Sequence, residues 1–194
     1  MTHGHRAVSV VLLMTLIGSI AAMTRSADSP SVPGFTLTSP TITDGGTIGM
    51  EHVFGGFGCT GMNISPALAW SGAPAGTKSF AVTVYDPDAP TGSGWWHWTV
   101  VNIPASVTSL AAGAGSTSPA LPKGAVEGRT DYGTPGYGGP CPPKGDKPHR
   151  YVFTVFALRV DTIDVNGEAS GAMVGYNLNA NKIATTSFTA MFGR

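Results

Sequence analysis

Three polar residues, Asp86, His97 and His149, are the part of this sequence whose types and spacing could do chemistry. Each lies at one end of an apolar segment, so all three fall at the ends of predicted strands. Two imidazoles can donate hydrogen bonds and become cationic below about pH 6.5, and a nearby carboxylate fixes their tautomers and raises their pKa. Such a group attracts an anion. Glycine-rich turns such as residues 136–139 can add backbone N–H groups to it.

The elements that must position these residues are strands. Three segments rich in Val, Phe, Thr and Tyr are the clearest candidates: 78–86, 97–104 and 150–160. If the first two form an antiparallel pair, the end of one and the start of the other lie at the same rim of a sheet. By strand alternation, His97 shares a face with Thr99 and Val101, and His149 shares a face with Tyr151. A third strand beginning at this rim would complete the mouth of a site.

The rest of the chain favours a mainly β fold. Its 27 glycines and 15 prolines are spread throughout, and they separate the clear strands from weaker candidates at 35–40, 67–72 and 182–192. This spacing favours an antiparallel β-sandwich of two sheets with long loops. Only 167–181 has helix-compatible spacing, which predicts one or two short helices. Segment 111–148 has no apolar periodicity and is predicted as a long loop, of the kind that often carries function.

Simpler interpretations of these residues stay open. A histidine at a strand end is more often a surface residue than a ligand, and the DPDAP sequence at 86–90 is typical of a turn. Tryptophans pack in cores more often than they bind ligands. A metal site has little support, because its ligands would come from three separate loops. Ser65 and Ser71 lack the surroundings of a nucleophilic serine, and Asn63 begins a match to a glycosylation acceptor.

The N-terminus is typical of an exported protein. Positive charge in residues 1–6 is followed by about 17 uncharged residues and then by small residues, as in a signal peptide. We predict a cleaved signal peptide over 1–27, with a retained anchor as the alternative. The exported domain, 28–194, would be periplasmic, secreted or associated with the cell envelope. It carries nine Lys and Arg against eleven Asp and Glu, with no basic run, which argues against nucleic acid as a partner.

The two cysteines, Cys59 and Cys141, both lie in the exported part, in loops rich in Gly or Pro. Two lone cysteines in an oxidising compartment usually pair, so we predict a disulfide. It would close a loop of about 80 residues and contribute on the order of 4 kcal/mol by the chain-entropy model. A reactive thiol or a metal ligand stays open as the alternative.

Several motifs in order resemble the phosphatidylethanolamine-binding family, also called Raf kinase inhibitor-like proteins, in its bacterial branch. They are NISPALAWSGAPAGTKSFAVTVYDPDAP (63–90), GWWHWTVVNIP (94–104), YGGPCPPKGDKPHRYVFTVFAL (137–158) and MFGR (191–194). The resemblance covers almost all of the predicted mature chain. It implies a sandwich of two antiparallel sheets with a shallow cavity that binds phosphate-like anions and phospholipid headgroups.

Carried over by motif, the resemblance implies a set of ligand-binding residues that contains the three polar residues above. The set is Asp86, Asp88, Trp95, His97, Gly139, Pro140, His149 and Tyr151. Eukaryotic members carry a further C-terminal helix that lines the pocket. This sequence stops at MFGR, so we expect a wider and less selective opening here.

Three functions follow, in decreasing order of support. The first is a non-enzymatic binding protein, without a cofactor, for a phosphate-bearing small molecule or phospholipid headgroup. The second is a secreted protease inhibitor or signalling modulator that acts on a protein partner through the 111–148 loop. The third is an enzyme in which His97 or His149 acts as a general base and Asp86 orients it. Whether the chain forms a homodimer is left open.

Overall fold

The computed structural model describes residues 1–2, 34–116 and 120–194. The predicted signal peptide therefore lies, apart from its first two residues, outside the described residues. Within the described ranges the chain forms eight strands and one helix. They are β1 (Thr36–Thr38), β2 (Leu68–Ser71), β3 (Ser79–Asp86), β4 (Trp95–Pro104), β5 (Ser109–Leu110), β6 (Val126–Glu127), β7 (His149–Leu158), α1 (Gly171–Asn181) and β8 (Lys182–Phe192).

The strands form two antiparallel sheets, which confirms the predicted fold class. The small sheet has the order β1-β2-β5, and the large sheet has the order β6-β4-β3-β7-β8. Each of the six strands predicted from the sequence overlaps a strand of the structure, and strands β5 and β6, of two residues each, were not predicted. The three clearest candidates are the central strands β4, β3 and β7. The middle of β4 and nearly all of β3 are buried on both faces, whereas β7 alternates between buried and partly exposed residues.

The main hydrophobic core lies between the two sheets. Leu68 and Trp70 from the small sheet are buried in one cluster with Val82, Phe153 and Val155 from the large sheet. Burial of this alternate set on each strand follows from the period-two alternation of side chains. The core fixes the large sheet, and with it the rim where β3 ends and β4 and β7 begin.

Helix α1 covers the other face of the large sheet. Its Val174 and Leu178, one turn apart, are buried against Val101 and Leu158 in a second cluster. Glycine occupies its first position because the helix packs closely on the sheet: a Cβ atom at Gly171 would collide with the indole of Trp96. This face of the sheet is filled by apolar side chains.

Strand β4 contains an irregularity that the sequence analysis did not predict. Tyr85 pairs with Trp96 and the preceding residue, Val84, pairs with Trp98, so His97 is an additional residue in β4. Such a β-bulge redirects side chains and is common beside functional sites. As a result His97 and Trp98 both face the interior between the sheets. The predicted shared face of His97 with Thr99 and Val101 is therefore wrong, since Val101 packs beneath α1 and Thr99 lies on that same side of β4.

Candidate functional site

A cavity of about 190 Å³ opens at the rim where β3 ends and β4 and β7 begin. The antiparallel register explains its position, because Asp86 at the end of β3 is directly opposite Trp95 at the start of β4. Five of the eight predicted site residues line the cavity: Asp86, Trp95, His97, His149 and Tyr151. The structure thus brings together the three polar residues with which the sequence analysis began.

One part of the cavity floor is held together by its own hydrogen bonds. The buried carboxylate of Asp86 accepts from the backbone N–H groups of Asp88 (2.8 Å) and Ala89 (3.1 Å) through Oδ1. Its Oδ2 accepts from Nδ1 of His149 at 2.8 Å. The turn after β3 is therefore organised around this carboxylate, as is common for Asp at turns. The Asp86–His149 pair leaves Nε2 of His149 on the outer side, 3.5 Å from Oδ2 of Asp146.

His97 differs from His149 in its hydrogen-bond partner. Its Nδ1 donates to the carbonyl oxygen of Gly138 at 2.7 Å, so the neutral ring presents an acceptor at Nε2. Burial lowers the pKa of His97 to about 4, and the Gly138 carbonyl and the Asp86 charge oppose this shift only in part. The sequence analysis expected the neighbouring carboxylate to raise the pKa. Desolvation reverses that direction, because it penalises the charged form of a buried imidazole.

Three residues that line the cavity each carry a buried polar atom with no hydrogen-bond partner among the described residues: Nε2 of His97, the hydroxyl of Tyr151 and Nε1 of Trp95. Burial raises the pKa of Tyr151, so its hydroxyl keeps its proton at neutral pH. The three atoms therefore offer one acceptor, one donor that can also accept, and one donor. Buried polar groups are normally satisfied, so such a cluster calls for an explanation.

The other three predicted site residues lie outside the cavity lining. Asp88 forms a bidentate ion pair with the Arg150 guanidinium, at 2.7 and 2.9 Å, and this pairing lowers the pKa of Asp88 to about 2. Gly139 donates its N–H to the side chain of Asn63 at 2.7 Å. Pro140 accepts from the backbone N–H of Phe54 at 3.1 Å. These contacts position neighbouring segments around the cavity.

Tyr132, which lines the cavity from the 111–148 loop, was not predicted as a site residue. Its ring contacts those of Trp95 and His97 edge to face, with centroids 5.3 and 5.6 Å apart. Its hydroxyl donates to the carbonyl oxygen of Gly139 at 2.8 Å. A lone tyrosine in a loop without periodicity carries no spacing signal, and only the length of the loop indicated a role.

Asn63 was also missed as a positioning residue. Its side-chain amide donates to the carbonyl oxygen of Tyr137 at 3.0 Å and accepts from the N–H of Gly139. Both contacts flank Gly138, whose carbonyl fixes His97. The residue has φ of 54°, a left-handed conformation that asparagine tolerates better than most residues. Asn63 therefore holds the backbone on both sides of the carbonyl that accepts from His97.

The 54–61 and 137–143 loops are joined beside the cavity. Cys59 and Cys141 form a disulfide in this structure, as predicted from the oxidising compartment, and Cys141 itself lines the cavity. Within the ranges that the structure describes, no cluster of His, Cys, Asp and Glu side chains could hold a metal ion. None of the described helical residues forms a segment long and apolar enough to span a membrane.

Comparison with known proteins defines the class to which this cavity belongs. The sequence model of the phosphatidylethanolamine-binding protein family matches residues 38–193. Escherichia coli (strain K12) YbcL is 58% identical over 183 residues, covering 93% of this chain and 98% of YbcL. Its crystal structure, described as a new member of the mammalian PEBP family, matches with a TM-score of 0.82 and 61% identity, covering 83% of this chain and 99% of that chain. This chain belongs to the phosphatidylethanolamine-binding protein family.

Two further relatives extend the comparison. YbhB, from the same Escherichia coli strain, is 56% identical over 156 residues, which cover 80% of this chain and 98% of YbhB. LppC of Mycobacterium tuberculosis (strain H37Rv), whose name marks it as a candidate lipoprotein, is 38% identical over 133 residues. That match covers 68% of this chain and 59% of LppC. The resemblance inferred from the motifs is thus confirmed at the level of the family and its fold.

Proposed function

We propose that this chain is a non-enzymatic binding protein whose cavity takes the phosphate-like group of a small molecule or of a phospholipid headgroup. The observation that carries this proposal is the cluster of three buried, unpartnered polar atoms on His97, Tyr151 and Trp95. A ligand that reaches these atoms would meet two donors and one acceptor. A singly protonated phosphate ester fits this set, since it has several acceptor oxygens and one O–H.

The charge of the cavity restricts the form in which an anion would bind. His97 is neutral at pH 7, because its pKa is about 4. The cavity lining also contains the carboxylate of Asp86, so His97 adds no positive charge to offset it. The P–O–H group would donate to Nε2 of His97, while other phosphate oxygens accept from Trp95 and Tyr151. Alternatively His97 takes up a proton as a fully ionised phosphate binds. In both cases one proton lies between the phosphate and Nε2, so we expect binding to strengthen as the pH falls.

The absence of enzymatic activity is part of the proposal. Each member of the Asp86–His149 pair is engaged, Asp86 by two backbone N–H groups and His149 by Asp86. Nδ1 of His97 is likewise engaged by Gly138. A general base needs a substrate proton within reach and a pKa near the working pH, and His97 departs from the second condition. Turnover of a phosphate-ester panel that disappears in His97→Ala would instead favour the enzyme.

We also propose that the chain is exported to the periplasm, the cell envelope or the medium. The predicted signal peptide at 1–27, the Cys59–Cys141 disulfide and the lipoprotein name of LppC support this location. Fractionation of cells and mass determination of the mature N-terminus would test it. Recovery of the uncleaved chain in the cytosol with both thiols free would contradict it.

Titration with inorganic phosphate, followed by NMR of the histidine rings and the tryptophan indoles, tests the binding proposal. We expect the signals of His97 and Trp95 to shift in a saturable way. His52 is an internal control, because it is buried away from the cavity with its ring nitrogens 2.9 Å from Thr41 Oγ1 and 2.8 Å from the Ile64 carbonyl. If neither phosphate nor phosphoethanolamine moves His97 or His149, the proposal is wrong.

The alternative prediction is an inhibitor or modulator that acts through the 111–148 loop. No contact made by the described residues of this loop supports it. The described part of this loop contributes Tyr132, Cys141, Pro142 and Pro143 to the cavity lining, and its Gly138 carbonyl holds His97. Replacing the loop should therefore impair anion binding under the proposal above. Loss of partner capture with intact anion binding would favour the alternative.

A further inference from the structure

The cavity changes character between its floor and its mouth. The floor is made of buried polar side chains, among them His97 and Tyr151. The mouth is lined by residues that are exposed, and three of these are apolar: Phe57, Pro90 and Pro143. A ligand that extends from floor to mouth would therefore pass from polar to apolar surroundings.

Phe57 is the most unusual residue at this mouth. Its side chain is 70% exposed although it borders the cavity. Its φ of 52° lies in the left-handed region, which is uncommon for a bulky residue. Both neighbours, Gly56 and Gly58, are glycine, the residue that adopts this conformation without strain, yet the position itself is occupied by phenylalanine. Strain of this kind persists where the surrounding structure enforces it, and it is concentrated at ligand sites.

The surrounding structure does hold Phe57 in place. The Arg194 guanidinium donates to the carbonyl oxygens of Gly58 at 2.8 Å and of Phe57 at 3.3 Å. The same side chain donates to the carbonyl oxygen of Pro142, across the mouth, at 2.7 Å. The disulfide joins the same two segments one residue further on, at Cys59 and Cys141. The ring also contacts Tyr132, with centroids 5.6 Å apart, so it is held over the entrance from several directions.

We propose that Phe57 is a specificity-determining residue that contacts the organic substituent of a phosphate ester whose phosphate lies on the cavity floor. Phe57, Pro90 and Pro143 form an apolar collar around this substituent. The collar selects esters with a short hydrocarbon or aromatic substituent over inorganic phosphate. This inference rests on the proposed binding function, and it adds the class of ligand and the residue that selects it.

The test compares inorganic phosphate, ethyl phosphate and butyl phosphate by calorimetry on the wild-type protein and two variants. Phe57→Gly removes the ring while suiting the left-handed backbone. Met62→Ser is the matched control, because Met62 is 68% exposed in the same region of the chain but does not line the cavity. Circular dichroism verifies that each variant folds, and Phe57→Asn, which also tolerates this conformation, replaces the glycine variant if it does not.

In the wild-type protein and in Met62→Ser, we expect butyl phosphate to bind at least about tenfold more tightly than inorganic phosphate, since buried methylene groups contribute favourably. In Phe57→Gly the ratio should fall below about threefold, with the affinity for inorganic phosphate little changed. The role of Phe57 would be overturned if the preference for butyl phosphate over inorganic phosphate were equal in all three proteins. It would also be overturned if the wild-type protein showed no such preference. If none of the three phosphates binds the wild type, the proposed function itself fails, and this inference fails with it.

Discussion

The two histidines of the cavity belong to two regions that differ in how far the polar side-chain atoms are hydrogen-bonded. In the first region, Asp86 and His149 satisfy one another and the adjoining turn. In the second, His97, Tyr151 and Trp95 each have a buried polar atom with no partner in the described part of the chain. The first region has the properties of a framework that stabilises the fold, whereas the second has those of a surface kept for a ligand. Stability and binding should therefore respond to different substitutions at sites only a few ångströms apart.

The largest effect should come from breaking the framework. Asp86→Ala leaves His149 and two backbone N–H groups without their acceptor, and we expect the free energy of unfolding to fall by about 3–5 kcal/mol. Asp88→Ala is the matched control two residues away. The Asp88–Arg150 pair is partly exposed, so its loss should lower the free energy by about 1 kcal/mol or less. Urea denaturation measures both, and equal losses would contradict the framework role of Asp86.

A somewhat smaller effect should appear in the pH dependence of stability. Because the pKa of His97 is about 4 in the folded protein and about 6.5 when unfolded, only the unfolded chain binds this proton between those values. Stability from neutral His97 is fully present above pH 6.5 and is lost as the pH falls towards 4, by about 3 kcal/mol in total. His97→Gln should have a flatter profile in urea unfolding over this range. Identical profiles would show that His97 does not titrate in this way.

The smallest effect on stability, and the sharpest contrast with binding, should come from Tyr151→Phe. The change removes a hydroxyl without a partner, so the free energy of unfolding should stay constant or rise by up to about 1 kcal/mol. Phosphate affinity should fall by about tenfold, as expected for one lost hydrogen bond to a charged group.

Tyr137→Phe is the control for this substitution. Its buried hydroxyl donates to the carbonyl oxygen of His52 at 2.9 Å, so its removal should destabilise the fold by about 1–2 kcal/mol without weakening phosphate binding. Thermal unfolding and calorimetry separate the two outcomes. If Tyr151→Phe destabilises as much as Tyr137→Phe and leaves affinity unchanged, the division into two regions is wrong.

Much of the fold and of the site could be predicted because both depend on local patterns. Composition and period-two alternation located the central strands, and their antiparallel pairing placed Asp86, His97 and His149 at one rim. The alternation of β7 also correctly placed His149 and Tyr151 on one face. These are properties of neighbouring residues, which a sequence displays directly.

What could not be predicted depends on residues that meet from distant parts of the chain. The lowered pKa of His97 requires knowledge of its burial, and the positions of Tyr132 and Asn63 follow from loops that close over the sheet. Phe57 is anchored by Arg194, which is more than a hundred residues away in sequence. The bulge in β4 was missed for another reason, since an additional residue does not change the composition of the strand.

The bulge leaves His97 outside the pairing with β3, whereas Trp95, Trp96 and Trp98 each pair with a residue of that strand. Tyr85 and Val84 already have partners in Trp96 and Trp98, so at this point the ladder between β3 and β4 continues without the residue between them. Deleting His97 would leave Trp95, Trp96 and Trp98 on their present faces. The sheet accommodates this histidine without using it for pairing, so its ring is held by the Gly138 carbonyl and not by the ladder.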